Sequence, residues 1–366
     1  MSRRFDFAVV GAGMAGASLA AELSSGGATV LLLEAEDQPG YHATGRSAAF
    51  WSPSYGGPLI QPLTMASGPF LADGFLRPRG AIYIARAEGH EALGRLRDRF
   101  SGSEAPLEPV DAATLRRIVP GLRPDWDSGL WERSCADIDV AALHSFYLKA
   151  ARANGTLLVA SAPLMAARKT AKNWSLETGV GPFACDVLIN AAGAWADQVA
   201  GLAGAEPLGV TPYRRTIAQL RVDPPAPPDL PLVLDALERF YFKPEAGGRL
   251  WLSPHDETPS DPCDISPDEY DVALAIDRLQ QAVDWQVERV EHRWAGLRSF
   301  APDRLPIYGF PPGRRDFFWF AGQGGFGIQT APAASMLAAF LLLGGGADPS
   351  IAAIDPSPYL AERFRN

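Results

Sequence analysis

The hexapeptide GAGMAG, Gly11 to Gly16, falls between a short apolar run and a helix-like stretch, and no other feature constrains this chain as much. Residues 5–10 are aromatic and β-branched, which predicts a buried strand. Residues 17–24 carry Leu19 and Leu23 on one helical stripe, and residues 29–33 read as a second buried strand ending at Glu34. A strand, a helix and a strand in so short a span require a parallel sheet. Gly11 permits the tight turn, Gly13 lets backbone approach a pyrophosphate, and Gly16 lets the helix lie close on the strand. The helix start at Met14 and Ala15 then presents free N–H groups to phosphates. Glu34, followed by Ala35, is placed to accept both ribose hydroxyls, and an acid there argues against a 2′-phosphate and so against NADP.

Composition narrows the classes further. The 33 Lys and Arg against 42 Asp and Glu leave a net charge of -9, without the basic face a nucleic-acid protein needs. Hydrophobic residues at 47% and charged residues at 20% mark a globular chain, and 366 residues predict two domains or one interleaved unit. Cys135, Cys185 and Cys263 lie far apart, and His42, His90, His144, His255 and His292 are isolated, so no metal site is expected. The longest apolar run, residues 336–343, is about half the roughly 18 residues a spanning helix needs. With no export signal after Met1, a soluble cytoplasmic protein is expected.

Two later stretches separate FAD from NAD. INAAGAWAD contains Ala192, Gly193 and Trp195 at the end of a predicted strand. FFWFAGQGGFGIQTAP is a strand, a glycine-rich crossing (Gly322, Gly324, Gly325, Phe326, Gly327) and a helix predicted from Ile328 and Gln329 onward. A dinucleotide at the first strand with a late helix start beside it fits an extended FAD, whose pyrimidine side gains negative charge on reduction. The polar, Gly-punctuated segment 37–57 suits a loop wrapped around a ligand.

The chain resembles the glycine oxidase / D-amino acid oxidase superfamily of FAD-dependent oxidoreductases, and within it most of all bacterial FAD-dependent D-arginine dehydrogenase. The resemblance is carried in order by GAGMAGAS, QPGYHATGRSAA, ADIDVAALHSFYL, NAAGAWADQVAGLAG, RFYFKP, HRWAGLRSFAPD and GQGGFGIQT. It implies an α/β, two-domain enzyme: a Rossmann-like FAD-binding domain interleaved with an antiparallel-sheet substrate domain. The expected division is 1–78, 136–207 and 296–366 for FAD, and 79–135 and 208–295 for substrate. It also implies non-covalent FAD, an amino acid substrate oxidised by hydride transfer from Cα to flavin N5, and oxygen, a quinone or another acceptor for the electrons.

By resemblance Arg298 binds the substrate carboxylate, Arg215 and Tyr241 support it, and Tyr55 belongs to a mobile lid with Gly56 and Gly57 beside it. Thr44, Arg46, Ser47 and Ala48 lie along the cofactor, and Gly325 passes near the substrate amine. The residues agree: a guanidinium flanked by Leu297 and Phe300 needs an anion, and a carboxylate pairs with it in a plane. Phe50 stands where D-arginine dehydrogenase has a histidine, and Gly80 falls where its side-chain acid is expected, with no carboxylate following until Glu88. With Phe50 and Trp51 at the mouth, the pocket is expected to prefer an apolar or aromatic amino acid over arginine. A secondary-amine oxidase, a 2-hydroxy acid dehydrogenase and a non-catalytic flavin-binding module are the alternatives.

Overall fold

The computed structural model describes residues 3–364, so the outermost residues of the expected FAD-binding segments, 1–2 and 365–366, lie outside the described residues. Arg4–Val10 is the first strand and Met14–Ser25 the first helix, which opens directly on the extended Gly13. Val30–Leu33 follows, with all four side chains buried. The two strands pair in parallel from Phe7↔Val30 to Val10↔Leu33. Gly181–Asn190 joins the first strand on its other side, Phe317–Ala321 joins that strand, and Leu157–Val159 joins Val30–Leu33, all in parallel. Leu164–Lys169, Trp174–Thr178 and Ile307–Gly309 extend the sheet antiparallel to eight strands. Every residue of Phe317–Ala321 is buried, as a parallel strand covered on both faces must be. Val140–Ala153, whose first turn is capped by Asp139 accepting from Ala142 N at 3.0 Å, packs with the first helix and Ala331–Leu343 on one face.

The second sheet has nine strands. It is antiparallel except where Leu232–Asp235 runs parallel to Ala81–Ala85, a departure from an all-antiparallel layer. Its spine is Thr211–Asp223 against Gln286–Phe300, in register from Thr211↔Phe300 to Asp223↔Gln286. Gln286–Phe300 stays in this sheet along its whole length and so runs across position 295. Cross-strand partners share a face, so the pairs Tyr213↔Arg298 and Arg215↔Gly296 turn both arginines the same way. Tyr241–Glu245 and Arg249–Ser253 form a hairpin over residues 246–248, where Gly247 and Gly248 take the positive φ of 74° and 71° that glycine tolerates.

The last helix differs from the sequence expectation. It begins at Ala331, not at residue 328, because residues 322–330 stay in turns, with Thr330 at its N-cap. Ala112–Ile118 is a helix whose start is fixed by Asp111 accepting from Thr114 N at 2.8 Å. Gln61–Ala72 is helical despite Pro62, Gly68 and Pro69, and Ser67 Oγ accepts from Ala333 N of the last helix at 3.1 Å.

Candidate active site

A cleft of about 440 Å³ begins at the glycine turn and ends under the second sheet. Its outer end is built by close approach. Gly11 has φ of +100°, and a Cβ there would stand 2.5 Å from Ala191 O; a Cβ on Gly16 would stand 1.8 Å from Gly11 O. Thr44 Oγ1 accepts from Met14 N at 2.9 Å and lies 3.1 Å from where a Cβ on Gly13 would be. His144, inside one of the resemblance motifs, places Nε2 2.9 Å from Ala12 O and supports the turn from behind. Glu34 is buried; Oε2 accepts from Ala12 N at 2.9 Å and Oε1 from Glu36 N at 3.1 Å. Each oxygen keeps a further lone pair for a ribose hydroxyl.

Along the cleft, Gly13, Met14, Ala15, Glu34, Ala35, Thr44, Arg46, Ser47, Ala48, Ala192, Gly193, Trp195, Gly324, Gly325, Gly327 and Ile328 contribute to the lining. Arg46 also ties the second sheet to the cleft wall: Nη1 donates to Ala295 O at 3.1 Å, and Nη2 pairs with Asp264 at 2.5 Å. Gly16, Gly322 and Phe326 stand behind the lining: Gly16 packs on the turn, and Phe326 packs edge-on to Tyr55 and Phe300. Gln329 reaches a smaller inner cavity instead.

That inner cavity, about 60 Å³, shares Ser47, Ala48, Tyr241, Arg298, Gly325 and Ile328 with the lining of the cleft. Arg298 Nη1 donates to Tyr55 Oη at 2.9 Å, and among the described residues Arg298 has no ion pair with a carboxylate. Burial opposes its charge, and the oxygens of Tyr55, Tyr241, Glu257 and Asp256 outweigh it, so the guanidinium stays charged. Arg215, 5% exposed, donates to Asp256 O at 2.9 Å and Glu257 Oε1 at 3.2 Å, while Nη1 is buried without a partner. Burial and the neighbouring Arg298 lower its pKa. Tyr241 turns to the cavity while Phe240 and Phe242 stack 6.2 Å apart in the core on the other face.

The segment carrying Tyr55 is pinned from the last helix side. Gln329 Oε1 accepts from Ser52 N at 3.0 Å, and Nε2 donates to Tyr55 O at 3.2 Å and Thr64 Oγ1 at 3.0 Å. Phe50 lines the cavity, 6.4 Å from the Tyr241 ring. Trp51 turns away, donating to Thr64 O at 2.9 Å, and Gly80 lies under Trp131, where a Cβ would meet the indole at 2.9 Å. Neither Trp51 nor Gly80 borders either cavity. The structure adds His255, Tyr83, Leu232 and Leu234 to the cavity wall. His255 Nδ1 lies 2.7 Å from Glu238 O, and burial, Arg215 and Arg298 hold its pKa well below the ordinary imidazole value. Only the proximity of Tyr241 along the hairpin could have signalled His255. Among the described residues no group of three His, Cys, Asp or Glu could hold a metal, and no helix is long and apolar enough to cross a membrane.

A glycine cradle, an acid at its ribose end and a guanidinium lacking an anion at its inner end fit a dinucleotide-dependent oxidoreductase. The chain belongs to the DAO family of FAD dependent oxidoreductases, which matches residues 6–341. It is an enzyme, an oxidoreductase whose cofactor is FAD. Glycine oxidase of Geobacillus kaustophilus is 26% identical over 93% of this chain and 94% of the relative. Glycine oxidase of Pseudomonas aeruginosa is 28% identical over 96% and 97%. The crystal structure of the Geobacillus kaustophilus enzyme superposes with a TM-score of 0.86 at 24% identity, covering 100% of both chains, which shows the same mixed α/β two-domain fold.

The residues present fit FAD. Cβ atoms on Gly11 and Gly16 would collide with the backbone of Ala191 and Gly11, so only glycines make this close turn, and one cleft is lined from Glu34 to Arg298.

Proposed function

We propose that this chain oxidises a small amino acid with an uncharged side chain to its imino acid, which water then converts to a keto acid and ammonia. FAD, when bound along the cleft, supplies the two-electron acceptor. Residues 1–78, 136–207 and 296–366 hold FAD without a covalent bond, and 79–135 and 208–295 cover the substrate. Arg298 takes the carboxylate through parallel N–H donors, with Tyr241 beside it and Arg215 Nη1 as a further donor. The single observation that carries this reading is the charged Arg298, whose hydrogen bond goes to a phenol and not to an acid.

Phe50, Leu232, Leu234 and Ile328 exclude water and offer an apolar surface to the side chain. Among the described residues no carboxylate borders the inner cavity, so a cationic side chain would give up its hydration for no partner, which argues against D-arginine. A second reading, glycine or an N-alkyl glycine as substrate, is supported by the cavity of about 60 Å³ and by the glycine oxidases among the relatives. The electrons pass on to oxygen or a quinone, in the cytoplasm.

Anaerobic bleaching of the flavin by a panel of D-alanine, D-phenylalanine, D-methionine, glycine, N-methylglycine, lactate and D-arginine tests this. Small neutral amino or N-alkyl acids are expected to bleach it fastest. A preference for D-arginine above about tenfold, or for lactate over every amine, would overturn the reading.

A further inference from the structure

Glu132 belongs to none of the motifs that carry the family resemblance. It ends the strand Ser128–Glu132, pairs with Ala81 across the sheet, and has no exposed surface. Its carboxylate takes three hydrogen bonds, all from one short segment. Ser54 N donates to Oε1 at 3.0 Å, while Ser52 Oγ and Ser54 Oγ donate to Oε2 at 2.9 and 2.6 Å. That segment leads into Tyr55, so the second sheet holds it from one side as Gln329 holds it from the other.

Ser54 Oγ also lies 2.9 Å from Tyr83 Oη. A hydroxyl has one hydrogen, and Ser54 gives it to the carboxylate at the shorter distance. Tyr83 therefore donates to Ser54, and only its lone pairs remain for other contacts. Burial and then Glu132 push the Tyr83 pKa well up, so the phenol keeps its proton. Tyr83 and Ser52 both line the inner cavity that Arg298 lines. His255 presents an acceptor there as well, because the contact with Glu238 O requires the proton on Nδ1 and leaves Nε2 bare.

We propose that Glu132 is a positioning residue for the substrate: by taking the Ser54 hydrogen it fixes Tyr83 as a hydrogen-bond acceptor in the wall of the substrate cavity. The cavity then has guanidinium donors for a carboxylate and oriented acceptors for an N–H group, and selects acids that carry an amine over acids that do not. This rests on the proposed placement of the carboxylate at Arg298. Glu132→Gln reverses the chain, since an amide N–H now donates toward the serine hydroxyls and Ser54 turns its hydrogen to Tyr83.

The test compares binding of glycine and acetate to the FAD-loaded chain with its flavin reduced beforehand by dithionite, so that glycine is not turned over, read from the ligand-induced rise in Tm. Glycine has the ammonium group that acetate lacks. Wild type is expected to bind glycine more tightly, and Glu132→Gln to weaken glycine about tenfold relative to acetate at unchanged flavin content. In a Tyr83→Phe background the same substitution should add less than about threefold, because the oriented oxygen is gone. Equal weakening of both ligands makes Glu132 a packing residue and overturns the proposal. No change, or a wild type that holds glycine no tighter than acetate, overturns it too. If Glu132→Gln does not fold, Ser54→Ala breaks the same chain and must show the same selective loss. Failure of the underlying reading looks different: there Arg298→Ala leaves acetate binding unaltered.

Discussion

Tyr55 Oη lies 2.1 Å from the point a Cβ on Gly325 would occupy, and Arg298 Nη1, which donates to that hydroxyl, lies 2.9 Å from the same point. Gly325 is thus the space in which the tyrosine and the arginine meet. Gly325→Ala is expected to push them apart and lower kcat/KM about a hundredfold, mostly through KM, since small misplacements at a reacting centre are costly. Steady-state kinetics on the best substrate check this. Unchanged kinetics would mean that the Tyr55–Arg298 contact does not position the acid.

Gly13→Val should abolish FAD retention. A side chain there would meet Thr44 Oγ1, already 3.1 Å from the Cβ position, and would fill the approach to the pyrophosphate. The flavin released per chain on denaturation measures the effect. The variant is expected to purify colourless, and a fully loaded variant contradicts the cofactor's placement.

Two histidines with lowered pKa values make stability pH-dependent. Burial lowers the pKa of His144, and burial followed by Arg215 and Arg298 lowers that of His255 much further, from an ordinary 6.5. Below that value the unfolded chain binds protons that the folded chain does not, so stability falls with pH. The loss starts near pH 6.5 and continues down to each folded value. His255→Gln removes one of the two, so Tm should fall less steeply from about pH 7 to about pH 5 than in wild type. Parallel curves would mean that His255 accepts a proton freely in the fold.

The nucleotide half of the molecule was legible because its signals are local. Gly11, Gly13 and Gly16 interrupt one strand–helix junction, and Glu34 ends the next strand, so a few dozen residues specify the cradle. Tyr241 was legible from alternation between two phenylalanines. Glu132, His255 and Tyr83 carried no such signal. His255 and Tyr83 reach the cavity, and Glu132 the serines behind its wall, from separate strands of the second sheet or the loop after one, and only its register brings them together. Gln61–Ala72 was hidden by its own composition: Pro62, Gly68 and Pro69 argue against a helix, and packing on the last helix overrides them. The mobile lid expected around Tyr55 came from the resemblance, with Gly56 and Gly57 beside it, and the hydrogen bonds that tie residues 52–55 to Gln329 and Glu132 were not visible in the chain.

The most direct measurement is the affinity of acetate for the FAD-loaded chain with and without the Arg298 guanidinium. The wild-type flavin spectrum should shift and saturate as acetate is added, and Arg298→Ala should weaken that binding by about 2–4 kcal/mol, the worth of a charge-assisted anchor in a buried site. Equal affinity in the two proteins would show that the acid is held elsewhere and would contradict the account.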